Sequence, residues 1–206
     1  MRSSEQIALP LDWPQAGDER RFILSDANRE AFDHFRRWTV WPVKATVLAG
    51  PRRSGRSLLA RQFVERVGGR LFDPADRHEE EVLFHAWNQA QETHRPVVYV
   101  VGDGEWDIKL PDLRTRIAVT PRVRIGEPDD ALFAQLIELL FADRGLVIPP
   151  DVLRYIVERV HRDYWTAERV VEAVDRFAIA ERARLTVPTV RRALADAGII
   201  DRRSAA

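Results

Sequence analysis

The sequence predicts an α/β fold, in which helices cover both faces of a parallel sheet and a small all-α domain follows. Short β-branched runs alternate with helical patterns up to about residue 125, and only helical patterns follow from Glu127 onward. A glycine-containing loop at residues 50–57 also lies between a predicted strand and a predicted helix. Alternating strands and helices favour a parallel sheet, because each crossover between parallel strands needs a helix.

Length and composition limit the classes of protein that the chain can represent. Its 206 residues are enough for one α/β core with a helical appendage, and 45% hydrophobic with 31% charged residues is typical of a globular protein. The 32 basic and 32 acidic residues balance, so we expect contact with DNA to be local or indirect, through a partner. The lack of cysteine excludes disulfides and fits a reducing cytoplasm. No apolar run reaches the ~18 residues of a membrane span, so we expect a cytoplasmic protein.

The sequence pattern divides the chain into three segments. Residues 1–20 are polar and form a tail or linker, residues 21–125 form the α/β domain, and residues 126–200 form the helical domain. The α/β domain is predicted to contain, in order, helix 27–38, strand 43–49, helix 58–67, strand 70–72, helix 79–92 and strand 96–101. Proline recurs in the first turn of the helical domain's elements, which are 128–141, 149–160, 164–183 and 186–197.

The glycine-containing loop resembles a phosphate-binding P-loop, G-x-x-x-x-G-K-[ST], and predicts nucleotide binding with Mg²⁺. Such glycines let backbone N–H groups surround phosphate oxygens at a helix N-terminus, and the last hydroxyl is placed to ligate Mg²⁺. Arginine stands where the pattern expects lysine, and a planar guanidinium is not equivalent to an ammonium. A basic strand-to-helix loop without phosphate is the alternative. The predicted cofactor-binding residues here are Gly50, Pro51, Arg52, Arg53, Ser54, Gly55, Arg56 and Ser57, with Ser57 the candidate Mg²⁺ ligand.

A P-loop ATPase also needs a carboxylate at the end of a nearby strand to hold Mg²⁺ and orient water. Asp73, after the strand at 70–72, is the first candidate, although proline follows it where an active ATPase would have a second acid. Asp103, after the strand at 96–101, is the second candidate or else a polar sensor of the bound nucleotide. Either residue is alternatively an ordinary solvated turn aspartate.

Three further motifs resemble the DnaA/Hda group of AAA+ proteins. Residues 110–117, LPDLRTRI, are similar to that group's L-P-D-L-x-S-R-[LF] box, residues 184–190, RLTVPTV, resemble the end of the Hda lid, and residues 6–11, QIALPL, resemble the Hda clamp-binding peptide. The motifs occur in the family's order and extend from residue 6 to about residue 194. The resemblance implies an AAA+ P-loop fold with a small all-α lid.

The resemblance also implies a role in bacterial replication initiation. Hda-like proteins bind ADP, bind the sliding clamp on DNA, and stimulate hydrolysis of the ATP held by the initiator DnaA. Arg116 matches the box arginine that acts as an arginine finger in trans, while Arg114 lies two residues away and is easily confused with it. The lid's nucleotide-sensing position falls on Glu168, with Arg169 beside it. We expect a regulator without the DNA-binding domain of an initiator, and a homodimer is possible.

The N-terminal peptide is the predicted clamp-binding segment. Clamp ligands are extended peptides in which a glutamine and spaced apolar side chains enter a surface pocket, and proline stiffens the backbone. The residues that match are Gln6, Ile7, Leu9, Pro10 and Leu11. The alternative is a tail whose leucines pack on the protein's own core.

Two other functions stay open at this point. An autonomous P-loop ATPase or kinase would turn over without a partner, although Arg56 and Pro74 each weaken the Mg²⁺–phosphate machinery. A pure adaptor would keep the AAA+ fold and bind no nucleotide at all, which the intact Gly50, Gly55 and Ser57 argue against.

Overall fold

The chain forms two compact units that divide between Gly126 and Glu127. The structure, a computed structural model, describes residues 22–201. Within this range, no helix is long and apolar enough to cross a membrane.

The first unit contains a four-stranded parallel sheet. Every residue of the two central strands is buried, as their β-branched and apolar sequences require. Ala49 is paired with Val101 on one side and with Arg124 on the other. The carboxyl ends of these three strands therefore meet at one edge of the sheet. The strands are β1 (Ala45–Ala49), β2 (Arg70–Phe72), β3 (Val97–Val101) and β4 (Arg122–Arg124), and their order across the sheet is β2-β3-β1-β4.

Four helices accompany this sheet. Side chains alternate between the two faces of each central strand, and one face packs against buried helical residues that include Leu83, Ala86 and Leu113. The helices are α1 (Asp26–Arg36), α2 (Arg56–Val67), α3 (Glu80–Thr93) and α4 (Pro111–Ala118), with short 3₁₀ segments at Trp38–Val40 and Ala75–Arg77.

The second unit is a bundle of four helices with its own apolar core. Asp129, Asp163 and Thr186 cap three of the helices by accepting hydrogen bonds from backbone N–H groups three residues later. Buried residues from all four helices form one cluster that includes Phe133 and Val170. The helices are α5 (Asp130–Ala142), α6 (Pro150–Arg159), α7 (Tyr164–Glu181) and α8 (Val187–Asp196).

The predicted parallel sheet followed by an all-α domain is confirmed, but two elements were missed. Helix α4 occupies the box at 110–117, whose sequence was interpreted as a motif without an assigned structure. Strand β4 has arginine at both ends and only Val123 buried, so it lacks the apolar run that identified the other strands. β1 also begins at Ala45, two residues later than predicted.

Candidate functional site

The phosphate-type loop lies at the carboxyl end of β1 and leads directly into α2. Gly55 is the N-cap of α2 with a φ of +82°, a left-handed conformation that glycine adopts at little cost. A side chain at Gly50 would meet the Ile125 carbonyl oxygen at 3.0 Å, so the loop passes close to the chain after β4. The two glycines of the motif are therefore required by local geometry, and the backbone has the strand–loop–helix form that binds phosphate.

The Arg56 side chain is bonded to the protein itself. Its guanidinium donates to the carbonyl oxygen of Gly50 and to that of Val101 at 2.8 Å. These carbonyls lie at the ends of neighbouring strands β1 and β3, which pair through Ala49 and Val101. The guanidinium at the motif's lysine position therefore hydrogen-bonds to the ends of two neighbouring strands.

The two serines of the loop differ in their surroundings. The Ser54 hydroxyl is buried, with 5% of the residue exposed, and has no hydrogen-bond partner within residues 22–201. An unpaired buried hydroxyl is costly, and a phosphate oxygen is an acceptor that would satisfy it. Ser57 is partly buried in the first turn of α2, where a P-loop serine would ligate Mg²⁺. Backbone and Ser54 therefore fit a phosphate group.

The acids at the sheet edge are less suited to Mg²⁺. Asp73 follows β2, which pairs with β3 and not with β1, so two inter-strand spacings, about 10 Å, separate its strand from β1. Asp103 follows β3, beside β1, but its carboxylate forms an ion pair with Arg124 at 2.6 Å. Among the described residues, no group of three or more histidine, aspartate or glutamate side chains could hold a metal. Asp73 thus follows a strand two positions from β1, and Asp103 is paired with Arg124.

The two arginines of α4 have different environments. Arg114 donates from Nε (3.0 Å) and a terminal nitrogen (2.5 Å) to the carbonyl oxygen of Ile108, so its guanidinium is held by its own chain. Arg116 is exposed, and its guanidinium carbon lies 5.0 Å from the ring centroid of Trp87. Both residues are exposed, so the difference is in what holds each guanidinium: a backbone carbonyl for Arg114 and an aromatic ring for Arg116.

Helix α3 holds α4 at both ends. The Glu80 carboxylate accepts backbone N–H groups of Lys109 (3.0 Å) and Leu110 (2.5 Å), and these bonds hold the pKa of Glu80 below its ordinary value. At the other end, the Trp87 indole donates to the Thr120 hydroxyl at 2.9 Å. That hydroxyl donates in turn to the Arg116 carbonyl oxygen at 2.8 Å. Sequence reasoning missed these supports, because no local spacing links α3 to residues about 30 positions later.

Comparisons with known proteins agree with this architecture. Residues 130–194 match the family model described as the lid domain of Hda. Domain III of the Thermotoga maritima replication initiation protein DnaA is similar, with a TM-score of 0.67 and 12% identity over 87% of this chain and 95% of that one. The helical unit therefore matches the Hda lid, and the chain as a whole is similar in fold to domain III of DnaA.

Two other solved structures are also similar in fold to this chain. The replication initiator DnaA bound to AMPPCP and single-stranded DNA is 12% identical, with a TM-score of 0.53 over 84% of this chain and 79% of that one. A variant of Thermotoga maritima RuvB is 15% identical, with a TM-score of 0.64 over 88% of this chain and 74% of that one. Identities this low describe the fold alone.

The remaining predicted site residues belong to the Hda-like lid and to the N-terminus. Arg169 is exposed on α7 and donates weakly, at 3.4 Å, to the Ala197 carbonyl oxygen at the end of α8, while Glu168 is partly buried. A cation beside a helix C-terminus is favourable by itself, so this contact explains Arg169 within the lid without a nucleotide. The predicted clamp-binding residues 6–11 lie outside the described residues.

Proposed function

We propose that this chain regulates bacterial replication initiation by presenting Arg116 to the nucleotide of a DnaA partner while residues 6–11 dock on the sliding clamp. The observation that carries the proposal is the contrast between the two arginines of α4. Both residues are exposed, but the Arg114 guanidinium is bonded to Ile108, whereas that of Arg116 lies on the face of Trp87. The Hda-type lid at residues 130–194 supports this class of partner.

An exposed, supported arginine suits a role in trans. A guanidinium stays charged at every physiological pH and can spread its charge over the phosphate oxygens that develop charge during hydrolysis. The Trp87 ring limits the orientations that Arg116 samples, and a preorganised cation loses less entropy when it meets its target. The bond from Thr120 to the Arg116 carbonyl oxygen holds the backbone beneath it.

The chain's own loop supports a regulator that does not hydrolyse ATP efficiently. Arg56 is bonded to the carbonyls of Gly50 and Val101, and Asp103 is paired with Arg124. The backbone and the Ser54 hydroxyl still suit a phosphate, so the proposed resident nucleotide is ADP, with Ser57 placed toward any Mg²⁺ that accompanies it. Catalytic power then comes from the partner's site, completed by Arg116.

The clamp-docking part of the proposal depends on sequence. Gln6, Leu9 and Leu11 have the spacing of an extended clamp ligand. Changing Gln6→Ala together with Leu9→Ala is expected to abolish binding to the clamp while circular dichroism and melting temperature stay unchanged. Unaltered affinity for the clamp would remove this part of the proposal.

The deciding experiment measures ATP hydrolysis by purified DnaA with clamp loaded on DNA, with and without this chain. We expect stimulation that Arg116→Ala removes and that Arg95→Ala keeps. Arg95 is the matched control because it is an exposed arginine that lies outside α4, two residues before β3. No stimulation by the wild-type chain, with a competent DnaA and clamp, would refute the proposal.

A nucleotide-independent adaptor is the second candidate, and the bonding of Arg56 to protein carbonyls favours it. Ligand that binds the native state raises its apparent stability, so an adaptor predicts a melting temperature that does not respond to millimolar ADP or ATP. Phosphate release by the lone chain tests the autonomous ATPase, for which we expect no turnover above background.

A further inference from the structure

We propose that Glu80 is a positioning residue for Arg116: its carboxylate fixes the entry of α4 and thereby the direction in which the Arg116 guanidinium leaves the helix. This role rests on the proposed function in one respect, because it matters only if Arg116 acts on the nucleotide of a partner. The support that Glu80 gives to α4 belongs to this chain alone, so it is measurable without that partner.

Helix α4 has no N-terminal cap of its own. Leu110 is its N-cap residue, and the Leu110 side chain forms no capping hydrogen bond. In a capping box, an acidic side chain three residues into the helix accepts the N–H of the N-cap residue, but in α4 that position is the fully buried Leu113. The Glu80 carboxylate, from another helix, takes this place. One of its oxygens accepts the N–H of Leu110 and the other accepts that of Lys109.

The turn before α4 is held by two charged side chains. Arg114, in the helix itself, donates to the Ile108 carbonyl oxygen, while Glu80 accepts the next two backbone N–H groups. Hydrogen bonds that involve an ionised group are about twice as strong as neutral ones. The two backbone bonds, with smaller contributions from the charges of Lys109 and Arg114, lower the pKa of Glu80, so its carboxylate is ionised at neutral pH.

Glu80 and Trp87 together define how α4 lies against α3. They are seven residues apart, about two helical turns, and therefore lie on the same face of α3. Glu80 holds the beginning of α4, and Trp87 holds its end through the Thr120 hydroxyl. With both ends fixed, α4 neither rotates nor pivots on α3. Arg116 is about 9 Å along the helix axis from Leu110, so a small change of direction at the entry displaces its guanidinium.

The test is ATP hydrolysis by purified DnaA, with clamp loaded on DNA, titrated with the wild-type chain, Glu80→Gln or Glu81→Gln. Glutamine keeps the shape of Glu80 but has one acceptor oxygen, and its amide NH₂ faces the second N–H as another donor. We expect Glu80→Gln to lower the maximal stimulated rate by about tenfold and to change the half-saturating concentration by less than about twofold, because a misplaced guanidinium weakens transition-state contacts and not docking. Glu81→Gln, an exposed glutamate in the same turn of α3, should equal wild type.

Motion of the Arg116 side chain supplies a readout that needs no DnaA. Nuclear magnetic resonance relaxation of its Nε–H group is measured at a temperature where circular dichroism shows each variant fully folded, so a loss of global stability alone does not change the result. The group should be ordered in wild type and in Glu81→Gln, and more mobile in Glu80→Gln. If Glu80→Gln does not fold, Glu80→Asp replaces it. Aspartate keeps the charge but is one methylene too short to reach both N–H groups, so it should shift both readouts in the same direction.

Two results would overturn the positioning role. One is a maximal stimulated rate of Glu80→Gln equal to that of wild type, including the case in which only the half-saturating concentration changes, which is an effect on docking. The other is an Arg116 Nε–H group that is as mobile in wild type as in Glu80→Gln. Failure of the wild-type chain to stimulate DnaA would refute the proposed function instead, and the Nε–H comparison would then decide the positioning role by itself.

Discussion

Replacement of Trp87 by phenylalanine should destabilise the first unit through a bond to a defined partner. The indole N–H donates to the Thr120 hydroxyl at 2.9 Å inside a buried region, and Trp87 is 7% exposed. Loss of this bond costs about 1 kcal/mol, and the smaller ring leaves a cavity that costs about 1 kcal/mol more. The weaker support for the Arg116 guanidinium adds about 0.5 kcal/mol. We therefore expect the free energy of unfolding to fall by about 2–3 kcal/mol.

A double-mutant cycle with Thr120→Val isolates the shared bond. Thr120→Val removes the acceptor for Trp87 and also the donor to the Arg116 carbonyl oxygen, so alone it should cost about 1–2 kcal/mol. Because the shared bond is lost only once, the double variant should be about 1 kcal/mol more stable than the sum of the single changes predicts. Urea unfolding followed by far-ultraviolet circular dichroism measures all four proteins.

The control is the same substitution at Trp106. This tryptophan also lies in the first unit, but its indole has no hydrogen bond to Thr120 in the described structure. Trp106→Phe and Thr120→Val should therefore be additive within about 0.3–0.5 kcal/mol. Additivity of Trp87→Phe with Thr120→Val would show that the indole bond does not contribute and would refute the proposed support of α4.

Further predictions concern pH and the loop. Burial lowers the pKa of His34 to about 4, so the unfolded chain takes up the proton first as the pH falls. The free energy of unfolding of the wild-type chain should therefore decrease between about pH 6.5 and pH 4. Urea midpoints that fall equally in His34→Gln would contradict this. Because backbone bonds lower the pKa of Glu80, its stabilisation should persist above its unfolded value of 4.5 and disappear as pH falls through the lower folded value. Faster amide exchange at residues 109 and 110 should report that loss, and pH-independent protection there would oppose it. Gly55→Ala should lower the free energy of unfolding by about 1–2 kcal/mol, because the φ of +82° at this position strains any residue with a side chain. An unchanged melting temperature would disprove this backbone strain.

The tautomer of His34 follows from its hydrogen bonds and explains why Gln is the matched replacement. The Thr46 hydroxyl donates to the Pro121 carbonyl oxygen at 3.1 Å, so it accepts from the ring Nε2 of His34 at 2.9 Å. The ring proton therefore lies on Nε2, and because burial lowers the pKa of His34 to about 4, the ring is neutral at pH 7. A glutamine amide can donate to the same hydroxyl without taking up a proton at low pH.

Much of the architecture was predictable because it depends on neighbours in sequence. Apolar periodicity, prolines in first turns and glycines at 50 and 55 each act over a few residues, and they predicted all four helices of the second unit. The same local rules missed β4, whose arginines occupy an edge where only Val123 needs burial. Strand β4 is defined by its hydrogen bonds to β1. Its residue Arg122 pairs with Val47, which lies 75 residues earlier in the sequence.

The sequence by itself determined that this chain has an α/β core with a phosphate-type loop, a helical lid and a pair of arginines in one box. Only the tertiary structure decided which guanidinium is bonded to a carbonyl, because Ile108 accepts hydrogen bonds from Arg114 while Trp87, from another helix, supports Arg116. It also decided that Arg56 bonds to Val101, 45 residues away. Arginines with the same charge and similar spacing are alike in a sequence, and they differ only when folding brings distant acceptors and rings beside them.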